Sequence, residues 1–205
     1  MTLLSIVQDV AKNVGLTPPN TAQSDDPDAI KLVQFVNETG LELSRRVNWN
    51  ALTFVHRVTA TGLDQKYALP ADFSRLSDGL CVNCDGTPVR GGLTADEWFS
   101  LTPEEGDPRF FRLLGKSLGV YPYPEVSQLL AVSYISSQWA HDVSNHGIVE
   151  MSKDNDEALI PSALIARGAV WRFLRHVGKD FSDHLAEYEA MLLDHANAEA
   201  GERQP

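Results

Sequence analysis

The sequence predicts an α+β protein in which N- and C-terminal helices form a helical bundle with an inserted antiparallel β-sheet or barrel region. Three observations predict it. Apolar residues recur at helical spacing near both ends of the chain, the middle changes to short β-type runs, and Gly, Pro and Asp turn signals concentrate in that middle. The expected division is a discontinuous helical domain of residues 1–48 plus 154–200, a β-rich insert of residues 49–153, and a flexible tail of residues 201–205.

Leu3, Val7, Val10 and Val14 alternate in steps of four and three, so residues 2–14 read as an amphipathic helix with Thr2 as N-cap and Gly15 as terminator. The Pro-, Asn-, Ser- and Asp-rich stretch from Thr17 to Pro27 is a loop. It ends where Asp26 caps a second helix and Pro27 occupies its first turn. Val33, Val36, Gly40, Leu43 and Val47 form the stripe of that helix, widened by Leu32 and Phe35. Gly40 in a helix interior costs up to about 1 kcal/mol relative to Ala, which points to another backbone packing closely there.

From Trp49 the pattern shortens. Leu52 to Thr59, Tyr67 to Leu69 and Leu80 to Val82 read as strands, separated by Thr61-Gly62, Pro70, Asp85-Gly86 and Gly91-Gly92. Asp96 to Leu101 makes a short helix, followed by a loop from Thr102 to Pro108. Phe110 to Leu114, Ser117 to Tyr121 and Leu129 to Ile135 resume the strands, with Gly115-Lys116 as a hairpin turn. Helical spacing returns after Asp154. Pro161 opens a helix striped by Leu164, Gly168, Trp171 and Leu174 and ended by Gly178, and Phe181, Leu185, Tyr188 and Leu192 stripe a last helix capped by Asp180 or Ser182.

Composition narrows the function classes. A chain of 205 residues with 43% hydrophobic content, 8 Phe, 5 Tyr and 4 Trp buries a core without a disulfide scaffold. No apolar run approaches the roughly 20 residues that cross a bilayer, and Asp9 and Lys12 interrupt the N-terminal apolar pattern, so neither a signal peptide nor a membrane anchor is expected. Two cysteines imply folding in a reducing cytoplasm. The net charge of −11 disfavours a grip on phosphate backbones, because that affinity comes from Lys and Arg displacing counterions.

No motif carries catalysis, so no enzyme activity, cofactor or metal is expected. Cys81-Val82-Asn83-Cys84 lacks the second ligand pair that a structural zinc needs, and no helix begins at Cys81 to lower its thiolate pKa. Asp154-Asn155-Asp156-Glu157 lacks the turn glycine and distal Glu of a calcium loop. Glu104-Glu105, and Glu38 with Glu42, read better as solvated carboxylates than as an acid–base pair. Gly91-Gly92 lacks the downstream glycine and lysine of a phosphate loop.

Arg45, Arg46, Arg172 and Arg175 are candidate subunit-interface residues. Arg45, Arg46 and Arg175 can equally oppose the dipole of a helix C-terminus, and pairing with acidic groups of an adjacent subunit is the sharper reading. Trp49, Trp98, Trp139 and Trp171 each fall beside a junction of helical and β segments, as core anchors.

The order of these segments resembles a known family. Val47-Asn48-Trp49-Asn50-Ala51-Leu52, Tyr67-Ala68-Leu69-Pro70-Ala71-Asp72-Phe73, Tyr121-Pro122-Tyr123-Pro124 and Tyr134-Ile135-Ser136-Ser137-Gln138-Trp139 are similar in order and spacing to phage head-to-tail adaptors (connectors), tail tubular protein A-like proteins among them. The closing segment agrees, with Leu159-Ile160-Pro161, Trp171-Arg172, Gly178-Lys179-Asp180 and Tyr188-Glu189. The resemblance spans residues 3–192.

It implies a structural virion protein at the head–tail junction, made in the host cytoplasm. It would assemble as a ring, commonly a dodecamer, docked under the portal protein, contacting a tail or head-completion protein and lining the channel through which DNA passes without specific binding. An acidic wall suits passage, since it offers DNA no phosphate-binding sites. Some relatives dock to the portal by the C-terminal tail, which makes Gly201, Glu202, Arg203, Gln204 and Pro205 the portal-docking candidates. The alternatives are a head-completion protein without direct portal contact, a peptidoglycan-degrading virion enzyme and, ranking third, a nucleic-acid-binding module.

Overall fold

The computed structural model describes residues 1–62, 66–91, 93–102 and 104–201. The fold is mixed α+β, with five α-helices and several largely antiparallel sheets among the described residues. The chain divides into two units, Met1–Leu52 with Ser137–Pro205, and Thr53–Ser136.

In the first unit, helix α1 (Leu3–Val14) is capped as its sequence dictates. The Thr2 hydroxyl accepts from Ser5 N, and Gly15 closes the helix in the left-handed region at φ 81°, where its N–H reaches the last-turn carbonyls. Leu3, Ile6, Val7 and Val10 are fully buried, each such side chain contributing about 1.5–3 kcal/mol before chain entropy is subtracted. Helix α2 (Pro27–Arg46) starts at Asp26, whose carboxylate accepts from Asp28 N, with Pro27 at the first helical position. Its buried stripe centres on Leu32, Phe35, Val36, Gly40 and Leu43, and Val33 lies only at its edge.

The first unit also holds three two-residue strands, β10 (Ala140–His141), β11 (Gly147–Ile148) and β12 (Glu157–Ala158), with β10 between the other two. Helix α4 (Ser162–His176) follows Pro161, which stands one position earlier than expected, as N-cap. It contacts α1, α2 and α5 (Ser182–Gly201), and α1 contacts α2. Only Tyr188 and Leu192 of α5 are buried, so most of that helix faces solvent.

The expected backbone contact at Gly40 is instead a side chain. A methyl group on Gly40 would collide with the ring of Trp139, whose indole is fully buried and donates to Val149 O at 2.8 Å. Gly168 is crowded in the same way by Thr39 and Tyr188.

In the second unit, strand β9 (Leu129–Ser136) pairs along one edge with β1 (Thr53–Thr59). Its other edge takes β3 (Phe73–Leu76) and β4 (Val82–Cys84) end to end, and β5 (Thr87–Pro88) extends the sheet from β4. A second sheet runs β2 (Lys66–Ala68), β8 (Ser117–Tyr121), β7 (Phe110–Leu114) and β6 (Arg90–Gly91), with β6 parallel to β7. The β7–β8 hairpin turns at Gly115, which takes φ 64° as the first central residue of such a turn must. Tyr67, Val82, Leu118, Val120, Leu130 and Val132 join the two sheets in one apolar core. Helix α3 (Ala95–Phe99) carries a full capping box between Thr94 and Glu97 and lays Trp98 against Gly119.

Neither sheet closes, which corrects the barrel alternative. Closure needs strands of matched length in a continuous staggered ladder, whereas β3 and β4 share one edge of β9, and β5 and β6 offer two residues each.

Candidate functional site

The polar centre of the first unit is built on one face of α2. Thr39, Glu42 and Arg46 follow one another at helical steps of three and four, so their side chains share a stripe. Arg172, presented by α4, donates from Nη1 to Thr39 Oγ1 at 3.0 Å and Gly168 O at 3.0 Å, and from Nη2 to the Glu42 carboxylate. Its guanidinium also lies 4.4 Å from the centroid of the neighbouring Trp171 ring. Arg46 grips Glu189 of α5 through both arms, at 2.7 and 2.6 Å, and reaches Glu42 at 2.9 Å.

The electrostatics follow from these contacts. The hydrogen bonds from Arg46 hold the Glu189 carboxyl below the usual carboxylate range, and Arg46 itself is raised. Burial, then the charge of Glu42, pushes the Tyr188 hydroxyl up to about 12. This assembly binds α2, α4 and α5 together.

Among the four arginines singled out by sequence, Arg46 and Arg172 are therefore bonded to acids of their own chain. Arg45 and Arg175 are exposed, with no ion pair among the described residues. Reading the sequence missed Thr39 and Glu189 as partners of these cations. The steps from Thr39 to Glu42 to Arg46 were visible as one face, but the elements meeting that face were not.

Asp154 and Asp156 prove to be backbone clasps. Asp154 Oδ1 accepts from Thr21 Oγ1 at 3.0 Å and Ala22 N at 2.6 Å, and Asp156 Oδ2 accepts from Ser152 N and Lys153 N. The carbonyls of the same two aspartates receive Leu4 N and Leu3 N, fixing the start of α1. Glu38 accepts from Gln34, while Glu42 turns to Arg172. Glu104 accepts from the Tyr121 hydroxyl. Cys81 and Cys84 are buried, and burial raises both thiols, Cys84 to about 11. No set of three or more His, Cys, Asp and Glu side chains among the described residues is arranged to hold a metal ion.

Trp49, Trp98 and Trp139 are core residues, at 1%, 6% and 0% exposure. Trp171 departs from the expectation of four buried anchors. It is half-buried, tilted against Phe181 and Tyr188, with the Arg172 guanidinium over its face.

The exposed surface of the first unit carries depressions beside α2. A groove of about 390 Å³ runs beside α2, lined by Ile30, Val33, Leu41 and Val149 with Glu38 and Glu150 at its rim. Asn37 fixes its far wall by donating to Met151 O at 2.9 Å and accepting from Met151 N at 2.8 Å. A second depression, about 450 Å³, lies between the end of α2 and Ala190, Leu193 and Ala196 of α5. The second unit exposes Phe99 at the end of α3, Leu80 and Val126 in loops, and Phe54 and Val55 on β1. No helix among the described residues is long and apolar enough to cross a membrane.

The family model described as SU10 adaptor protein matches residues 1–205. No curated protein matches the chain.

Proposed function

The chain belongs to the SU10 adaptor protein family, and from that membership we propose that it works as a segment of a ring between the portal and the tail of a phage. An adaptor of this family is a phage structural component of the virion, contacting head and tail parts rather than transforming a substrate. The family match over the whole chain is the observation that carries the reading.

The finer parts rest on physical supports. A subunit with a net charge of −11 is suited to a channel wall past which DNA slides, since phosphates find little to pair with. Exposed apolar side chains on α2 and α5, including Ile30 and Leu193, favour neighbours made of protein. Arg45 and Arg175 serve contacts with adjacent copies, while Arg46 and Arg172 hold the shape of the surface that carries them. The tail from Gly201 onward docks to the portal; Glu202, Arg203, Gln204 and Pro205 lie outside the described residues.

The test is co-purification with portal rings and cryo-microscopy of the resulting particles. We expect a ring of this chain beneath the portal, and loss of portal attachment with folding retained when residues 201–205 are deleted. A chain that neither binds portal rings nor occurs in tailed particles defeats the reading.

A further inference from the structure

We propose that the groove on α2 receives the basic end of α4 from a second copy of the chain, in a head-to-tail contact that repeats around the assembly. The inference rests on the ring reading and names the two surfaces that meet. Exposed apolar residues are ordinary when scattered, but Ile30, Leu41 and Val149 are 51%, 37% and 53% exposed around one groove. Glu38 and Glu150 make its rim acidic.

The occupant must bring cations around an apolar knob. In a chain with 28 acidic and 17 basic residues, most of the surface is repelled by that rim. The end of α4 combines exposed cations with an exposed apolar side chain. Val177 is 45% exposed between Arg175 and Lys179, both exposed and without an ion pair among the described residues. The neighbouring Asp180 carboxylate is occupied in accepting from Ser182 N.

The fold sets the knob apart from the groove of its own copy, and charge disfavours a two-fold contact centred on the groove. The His176 ring sits 5.7 Å from that of Phe35, on the flank of α2 facing α4. At about 100° per residue, Asn37 in the groove is about 160° around the helix from Phe35. Glu38 at the rim is nearer, about 60° from Phe35, but most of the groove lies on a different flank of α2 from the knob, and no residue of α4 is among its lining. An isologous contact centred on the groove would set Glu38 and Glu150 of one copy against the same acids of another, whereas a two-fold exchange of knob and groove would close at the dimer. Where the knob and groove of one copy meet different neighbours, the contact propagates into a ring or a filament.

The test uses the full chain. Glu38→Lys with Glu150→Lys, Arg175→Glu with Lys179→Glu, and the combination of all four are compared by native mass spectrometry over a concentration series. Each pair alone is expected to weaken self-association at least about tenfold, and the fourfold variant to recover most of it. Val149→Cys with Val177→Cys supplies a second readout independent of charge. Oxidation is expected to give a ladder running past the dimer, since the native cysteines are buried. Rings that form in both reversal variants, or that form with no cross-link between the engineered cysteines, overturn this pairing and leave the ring reading standing. A ladder stopping at the dimer overturns it in favour of a two-fold contact. An unmodified chain that stays monomeric at every concentration, and in tailed particles is absent, overturns both.

Discussion

Gly40 lies directly against the six-membered ring of Trp139, close enough that even a methyl side chain has no room. The indole cannot retreat, being fully buried and tied through its N–H to Val149 O. Gly40→Ala therefore sets a helix-propensity gain of up to about 1 kcal/mol against an overpacking cost of about 1–3 kcal/mol. We expect net destabilisation, read as a lower urea midpoint with an unchanged slope. A midpoint that rises would show that the ring yields.

The contact between Arg172 and Glu42 gives a second prediction. The arginine side chain is 12% exposed and the glutamate 29%, so the pair is sheltered but not dry. Arg172→Met should cost about 2–3 kcal/mol, less than a fully buried pair, because Glu42 keeps some water and its bond from Arg46. A double-mutant cycle with Glu42→Gln should return a coupling of about 1–2 kcal/mol. Simple additivity would mean that the two act separately.

Acid should loosen α5 through Glu189. Its carboxyl is held below the ordinary value by hydrogen bonds from Arg46, so the stabilisation is complete above about pH 4.5, the range of a free glutamate, and disappears as pH falls through the lower folded value. The side chain is 45% exposed, and salt should shrink the effect. Thermal unfolding between pH 3 and 6 should show a shallower decline for Glu189→Gln than for the unmodified chain.

The two thiols should be inert in the folded protein. Burial raises both, and Cys84 at about 11 carries almost no thiolate at neutral pH. Labelling with a disulfide reagent should proceed at the rate of unfolding, and zinc should leave the melting temperature unchanged. Fast labelling under native conditions would contradict the buried placement of Cys81 and Cys84.

Much of the helical framework was legible because capping chemistry is local. Thr2, Gly15, Asp26 and Pro27 mark the ends they were expected to mark, and Asp180 accepts from Ser182 N. Strands β1, β7, β8 and β9 announce themselves by their apolar runs. By contrast β10, β11 and β12 have two residues each, too few for any period to register. The stripe of α2 was placed slightly wrong for a similar reason. Val33 and Leu32 are adjacent and equally apolar, and only the positions of α4 and Trp139 decide which of them is buried. The pairing of Arg46 with Glu189 joins distant parts of the sequence, and no local pattern announces it.

The clasp of Asp154 and Asp156 on the start of α1 has a consequence for biogenesis. Every strand of the second unit is encoded in one uninterrupted stretch, whereas α1 and α2 wait for α4 and for the aspartates that receive Leu3 N and Leu4 N. On a ribosome the N-terminal helices therefore emerge with only each other as partners until translation has passed Ser162. The wall of the α2 groove at Val149 is likewise supplied late, so an unfinished polypeptide carries no complete docking face, and joining to neighbours is deferred until synthesis is nearly over.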